Sequence, residues 1–293
     1  MIDVRRVISD GDLDSWVSVK NAVVPNEPTT AELVRQSDEP DRRLFLAALD
    51  GELAGCGIVG RSHFGGRAFV AVRVLPYARR RGVGTAVMSA CAAYARSLGL
   101  NGVNAFVYAD EPHSLAFADK LGLRDVDYQL EQRRIVGRET APACPDGVTL
   151  CPVGDRREEL LHAVWQVALE GYTDMPIPGG VSYEIETWLR EEATLPDGSF
   201  VAFEGSEPVG YAGLLEHAAG PEVAENGLTV VRRDRRGRGI ARALKQAQLV
   251  WAASAGVREI ITWTQQGNEA MQALNRSLGY SDRAKVITFQ GPL

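Results

Sequence analysis

Two short stretches carry the residues best suited to holding a charged ligand: RRRGVGT at 79–85 and RGRGIAR at 236–242. Both fit Arg-x-x-Gly-x-Gly/Ala, and each follows a strand-like run and opens a helix-like one. Glycine lets the backbone turn so that successive N–H groups converge, and a helix start adds donors with no partner inside the helix. Such a nest suits a pyrophosphate, whose oxygens several amides can share with no side chain in the way. The helix dipole adds only about 0.3–1 kcal/mol per charge, so the hydrogen bonds must do most of the holding. The candidate residues are Arg79, Arg80, Arg81, Gly82, Val83, Gly84 and Thr85 in the first stretch. In the second they are Arg236, Gly237, Arg238, Gly239, Ile240, Ala241 and Arg242, with Arg235 beside them. Other phosphate loops fit worse. A Walker loop requires GK[ST], which is absent, and a GxGxxG fingerprint requires a parallel sheet where these strands begin as a hairpin.

There are two stretches because the sequence repeats itself. One offset of 157 residues lays Val74 on Val231, Arg79 on Arg236, Gly82 on Gly239 and Gly84 on Ala241. The same offset lays Gly99 on Gly256 and Gly122 on Gly279 with no insertion between. A repeat changes what each motif means, since every landmark must then be read twice. Each copy carries the elements needed to position its loop. RRLFLAALDGELAGCGIVG and SFVAFEGSEPVGYAGLLE read as hairpins turning at Asp50-Gly51 and Glu204-Gly205. FVAVRV (69–74) and GLTVV (227–231) are further strands. After each loop, TAVMSACAAYARSL puts Val87, Cys91, Tyr94 and Leu98 on one helical face, and ARALKQAQLVWAASA does the same with Leu244, Ala247 and Trp251. Gly99 and Gly256 stand where a helix end favours a left-handed residue. The order β–α–α–β–β–β–α–β–α–β predicts an α+β fold of two tandem domains, each a mixed, largely antiparallel sheet flanked by helices. The expected bounds are 1–138 and 148–293, joined by a linker at 139–147 within the proline- and glycine-rich GRETAPACPDG.

The totals narrow the chemistry. A chain of 293 residues is long enough for two cores. The formal net charge of −6 argues against general nucleic-acid binding, so the basic run RRDRRGR (232–238) needs a local explanation. Cys56, Cys91, Cys144 and Cys151 have no CxxC spacing, and His63, His113, His162 and His217 are scattered as surface or core residues. No disulfide framework and no metal site is therefore expected. The sequence shows neither a signal-type apolar run nor a membrane-length one, so the expected location is the cytoplasm.

The strand–RxxGxG/A–helix unit, followed by an Asn-led helix ending in LGY, resembles the GNAT superfamily of N-acetyltransferases. The likeness covers nearly the whole chain, once per half, and in its doubled form is similar to two-domain members such as mycothiol synthase. The resemblance implies acetyl-CoA as donor, no metal, and a small-molecule amine or thiol as acceptor. It implies that Val74 and Val231 meet the pantetheine, and that Gly82–Thr85 and Gly239–Arg242 meet the phosphates. The thioester is already activated, so the protein must orient the reactants and take a proton from a largely charged ammonium. In the histone-modifying branch a glutamate base stands eleven residues before the motif. Here that position is Glu225 in the second copy and Ala68 in the first, with Glu216 in reserve. Asn268 keeps the asparagine that opens the family's last helix, where the first copy has Glu111. Seven residues on, the frequent family tyrosine is replaced by Asn275 and Ala118. Asn275 can hydrogen-bond a departing thiolate but cannot usefully protonate it. Tyr172 and Asp174, read as part of a proline-stiffened loop GYTDMPIPGG (171–180), are the expected acceptor contacts, with Glu27 their counterpart in the first copy. The leading expectation is an acyltransferase working through the second copy. A non-catalytic acyl-CoA sensor and, more distantly, a nucleic-acid-binding module are the other classes.

Overall fold

The computed structural model describes residues 1–25, 27–37, 39–62, 66–176, 181 and 183–293. His63 and the 177–180 part of the expected acceptor segment lie outside the described residues. Both copies fold in the expected order. The first runs β1 (Ile2–Arg6), α1 (Asp10–Val23), α2 (Ala31–Gln36), β2 (Arg43–Leu49), β3 (Glu52–Arg61), β4 (Ala68–Val74), α3 (Val83–Ser97), β5 (Gly102–Tyr108), α4 (Pro112–Lys120) and β6 (Arg124–Ile135). The second runs β7 (Val148–Pro152), α5 (Arg157–Asp174), α6 (Ile185–Glu191), β8 (Phe200–Glu204), β9 (Glu207–Glu216), β10 (Val223–Val231), α7 (Ile240–Ala255), β11 (Glu259–Gln265), α8 (Glu269–Ser277) and β12 (Ser281–Pro292).

The chain divides into two compact units, one of Met1–Asp127 with Ile287–Leu293 and one of Tyr128–Val286. The units do not coincide with the sequence repeats, because the end of β12 belongs to the first and most of β6 to the second. In the first unit the strands lie in the order β1-β2-β3-β4-β5, antiparallel until β4 meets β5 in parallel. In the second the order is β6-β11-β10-β9-β8-β7, again antiparallel except for β10 beside β11.

Local sequence explains the joints. Asp50 and Gly51 both take positive φ (54° and 90°), the geometry that a two-residue hairpin requires. Gly256 ends α7 at φ 81°. Within the second unit, residues from the bulge in β10 onward divide between two cores. Leu228 and Val230 pack with α5, Trp188 and Tyr211, while Val231 packs with Ile240 and Leu244 of α7. Helix α5 extends further than its sequence suggests. It runs through Asp174, so Tyr172 and Asp174 form its last turn and are not loop residues. Gly171 is there for close approach: a Cβ on it would stand 2.6 Å from Val230. Among the described residues no helix is long and apolar enough to cross a membrane.

Candidate functional site

Strands β10 and β11 pair in parallel only from Val223 to Glu225. Beyond that point β11 stays with β6 as far as Gln265, and β10 bulges between Asn226 and Thr229 while it remains on β9. A groove of about 520 Å³ is lined by the strand walls Leu228–Val231, by Met175 and Pro176 after α5, and by Gly237 and Gly239–Arg242 of the basic loop. Asn268, Met271 and Leu274 of the α8 region complete it.

The loop has the nest geometry read from its glycines. Gly237 and Gly239 sit at φ 76° and 88°, and Gly239 caps α7 with no side chain bonded to the helix start. The first backbone bond of the helix runs from the Ala243 N–H to the Gly239 carbonyl at 3.0 Å, so the amides of Ile240, Ala241 and Arg242 precede the helical ladder. A Cβ on Gly237 would meet nothing within 4 Å, and one on Gly239 only Pro145 at 4.0 Å. Open space in front of unclaimed amides fits a diphosphate. Arg236 ties the loop to the strand, its Nε donating to the Val231 carbonyl at 2.9 Å.

The charge of the loop is balanced at home. Arg233 Nε donates to both oxygens of Asp174 at 2.9 and 3.1 Å, Arg236 lies 2.6 Å from the same carboxylate, and Glu204 pairs with Arg235 (2.6 Å) and Arg238 (2.7 Å). The Arg233 guanidinium, with help from Arg236, holds the Asp174 carboxyl down to about 2. Asp174 lines the groove, so it competes with any phosphate for these two arginines. Replacing it by asparagine is expected to tighten acetyl-CoA binding by about 3- to 10-fold at low salt, less so at high salt. Calorimetric titration reads this directly, and unchanged or weaker binding would show that no such competition exists.

The remaining expected residues divide. Asn268 lines the groove and caps α8, its Oδ1 accepting the Met271 N–H at 3.4 Å. Glu225, half-buried, is the last residue of β10 still paired with β11, where the strands part. Asn275 is fully buried, its Nδ2 donates to Gln132 Oε1 at 2.9 Å, and it is not part of the groove wall. Tyr172 belongs to the core, stacked on Tyr183 with ring centroids 4.8 Å apart, and burial pushes its hydroxyl well above the usual range.

The first unit repeats the loop with two differences. Gly82 caps α3 at φ 90° and Arg79 Nε donates to the Val74 carbonyl at 3.2 Å, as in the second. Arg80, however, takes φ 62° where the second copy has Gly237, a conformation that costs a side-chain-bearing residue about 1–2 kcal/mol. A Cβ on Gly84 would stand 3.4 Å from the Phe117 ring and 3.5 Å from Val74, so the ring already lies against the loop at Gly84. The second copy has the smaller Leu274 at that position.

One residue escaped the sequence altogether. Glu192 follows α6 and is 8% exposed. Its Oε2 accepts the Tyr211 hydroxyl at 3.0 Å, and its Oε1 accepts the Leu228 N–H at 3.2 Å, inside the bulge of β10. Two glycines clear the space: a Cβ on Gly213 or Gly227 would lie 2.3 or 2.7 Å from Glu192 Oε2. Arg157 fixes the approach, with its guanidinium on the carbonyls of Leu189, Glu192 and Ala193. Ala193 itself is held at φ 51°, strain that the surrounding contacts impose. Burial pushes the Glu192 carboxyl up to about 7, against the opposing pull of the Leu228 N–H and Tyr211 hydroxyl.

Behind the same strand lies a buried polar network. Lys245 Nζ and the Tyr280 hydroxyl both donate to Asn226 Oδ1, at 2.9 and 2.8 Å, and Asn226 Nδ2 donates to Gln248 Oε1 at 3.0 Å. Burial pushes Lys245 down to about 7. At the 157-residue offset the first copy has Met88, Leu123, Phe69 and Cys91, so only the second stiffens its bulged strand with hydrogen bonds.

A family model described as Acetyltransferase (GNAT) family matches residues 13–123 and again 161–280. The chain belongs to the GNAT acetyltransferase family. It is an acetyltransferase, and its two copies are tandem GNAT domains. A mycothiol acetyltransferase of Nocardia farcinica is 29% identical over 272 residues, spanning 87% of this chain and 84% of the relative. One of Catenulispora acidiphila is 25% identical over 252 residues, spanning 84% and 79%. A GCN5-related N-acetyltransferase from Sphaerobacter thermophilus superposes with a TM-score of 0.79 at 21% identity, covering 99% of this chain and 95% of that one. A tandem GNAT protein from the clavulanic acid biosynthesis pathway, solved without AcCoA, gives 0.77 at 20%, covering 100% and 98%. At those identities the two structures speak for the GNAT fold alone.

Proposed function

We propose that this GNAT protein transfers an acetyl group from acetyl-CoA to the amine, or the thiol, of a small molecule, and that the second copy does the chemistry. The observation that carries the reading is the groove that runs from an uncapped glycine nest along Leu228–Val231, the stretch of β10 just past its last pairing with β11 at Glu225. Acetyl-CoA supplies an activated thioester, so the protein needs only to orient, polarise and deprotonate. The nest at Gly237–Arg242 holds the diphosphate through backbone amides, and Val231 and Leu228–Val230 guide the pantetheine toward the point of parting. There the edge of β10 that β11 has left offers N–H groups to a carbonyl oxygen. Glu225 stands at the same point and takes the proton from the incoming ammonium. Glu192 acts through Leu228 and Tyr211 as a positioning residue for that edge.

In a thiol-release assay against amine, aminoglycoside, amino-acid and thiol acceptors, at least one class is expected to discharge the thioester. The relatives' name, mycothiol acetyltransferase, puts thiol-bearing small molecules first in that screen. Glu225→Gln is expected to lower kcat/KM about 100-fold near neutral pH and to flatten the acid limb of the pH profile. An unchanged rate and profile would remove Glu225 as the base. One observation favours a second reading, an acyl-CoA sensor without turnover: Asn275, at the position of the family's acid, is tied to Gln132 away from the groove. Tight acetyl-CoA binding with no thiol released by any acceptor would support it.

A further inference from the structure

The first unit holds a buried lysine and a half-buried arginine that, among the described residues, have no anion in contact. Lys20, on α1, is 7% exposed, and among the described residues no hydrogen-bond acceptor reaches its Nζ. Arg73, on β4, lies over the Trp16 ring at 5.9 Å, and its Nη1 is buried without a partner. The two charges act on each other: burial, and next the Arg73 charge, push the Lys20 ammonium below its usual range. Neighbouring groups do not resolve this. Burial pushes the Cys56 thiol beside Arg73 up to about 12, so it is uncharged at neutral pH. Glu27 also acts on Lys20, but its carboxylate accepts the Tyr108 hydroxyl and makes no ion pair with either cation. In the second unit the matching position, set by Val74 opposite Gly55 and Val231 opposite Gly210, is the core residue Val230. A guanidinium stands in place of that valine, and its one buried nitrogen, Nη1, is costly to leave unpaired.

We propose that Lys20 and Arg73 form a binding site, in the first unit, for a small monocarboxylate. A guanidinium fork and a point-like ammonium together match the two oxygens of one carboxylate, with Arg73 Nη1 the donor left over for it. The local charge selects among anions. Two cations and the Glu27 carboxylate leave one net positive charge, which a single carboxylate balances and a phosphate dianion exceeds. Arg73 and Glu27 are only partly buried, so the pair is reachable from solvent. The site is independent of the acyl-transfer groove and does not rest on the proposal made for it.

The test titrates the full-length protein, in a low-chloride buffer, with sodium acetate and separately with inorganic phosphate, following heat and thermal unfolding. Acetate is expected to saturate at one per chain in the millimolar range and to raise the unfolding temperature, with phosphate weaker. Arg73→Met and Lys20→Met are each expected to weaken acetate at least about 10-fold, the worth of one charge-assisted bond, and to abolish the thermal shift. Arg73→Lys, which keeps the charge and loses the fork, is expected to fall between. Gly239→Val, which spoils the coenzyme nest, is expected to leave acetate binding unchanged. Saturation by phosphate but not acetate, no saturable anion, or acetate binding that survives Arg73→Met or vanishes in Gly239→Val, would each overturn the proposal. Should Arg73→Met fail to fold, Lys20→Gln and the wild-type anion series decide alone.

Discussion

Gly239→Val is expected to cut acetyl-CoA affinity at least about 100-fold, whereas Gly82→Val is expected to leave it within about two-fold, if the coenzyme binds at the second loop alone. At φ 88°, a valine adds about 1–2 kcal/mol of strain, and its side chain enters the open space in front of the nest. Losing two amide-to-anion bonds at about 1.5–3 kcal/mol each accounts for the rest. The first unit shares the φ 90° cap at Gly82, so backbone strain there is equal, and the difference must come from what lies over each loop. Over the first lies Phe117, whose ring edge borders the space above Gly84. A calorimetric titration of the native protein is therefore expected to end at one acetyl-CoA per chain. Phe117→Ala is expected to add a second, weaker site that Gly82→Val then removes. Two sites in the native chain, or full affinity in Gly239→Val, would dismantle this assignment.

What was legible in the sequence was local. The hairpin at Asp50-Gly51 and the left-handed helix ends at Gly99 and Gly256 each depend on neighbours a few positions away, so residue type alone specifies them, and the 157-residue offset is read from such local landmarks. Helix α5 outruns its sequence signal for a local reason as well. Gly171 and Pro176 look like a loop, yet the glycine serves to let the helix touch Val230, and α5 continues to Asp174. The rest depended on distance along the chain. Glu192 meets Leu228 across 36 residues, through a bulge whose register no strand pattern announces. Lys20 meets Arg73 only once α1 lies on β4, and in a helical pattern that lysine reads as one more solvated charge. Asn275 shows the converse limit. Its place in the motif was readable, but its bond to Gln132, 143 residues away, was not.

Glu192 carries the other large expected effect, and its sign differs between stability and rate. Its carboxyl is raised in the fold to about 7 from an ordinary 4.5, so the native state resists ionising it. The unfolded chain releases that proton at lower pH. Folding therefore loses stability as pH rises from about 4.5 to about 7, and the penalty is constant above, about 3 kcal/mol for a shift of this size in a fully buried group. Glu192→Gln is isosteric, keeps an acceptor for the Leu228 N–H and never ionises. It is expected to match the native protein in denaturant unfolding at pH 4 and to exceed it by up to about 3 kcal/mol at pH 8. Equal stability of the two proteins at both pH values would show that the carboxyl is not raised. Turnover is expected to move the other way. Glu192→Leu removes both acceptors and leaves the bulge amide and the Tyr211 hydroxyl unpaired, so kcat should fall about 100-fold while acetyl-CoA affinity, set by the nest, stays within about three-fold. Glu192→Gln should recover most of that kcat, since the geometry of the edge survives. A loss of acetyl-CoA affinity as large as the loss of kcat would mean that Glu192 holds up the whole unit, and that the bulge is not its particular charge. The stability cost borne by the native carboxylate is then best understood as the consequence of aiming a rigid strand edge at a reacting carbonyl, a geometry that an apolar core residue at this position does not provide.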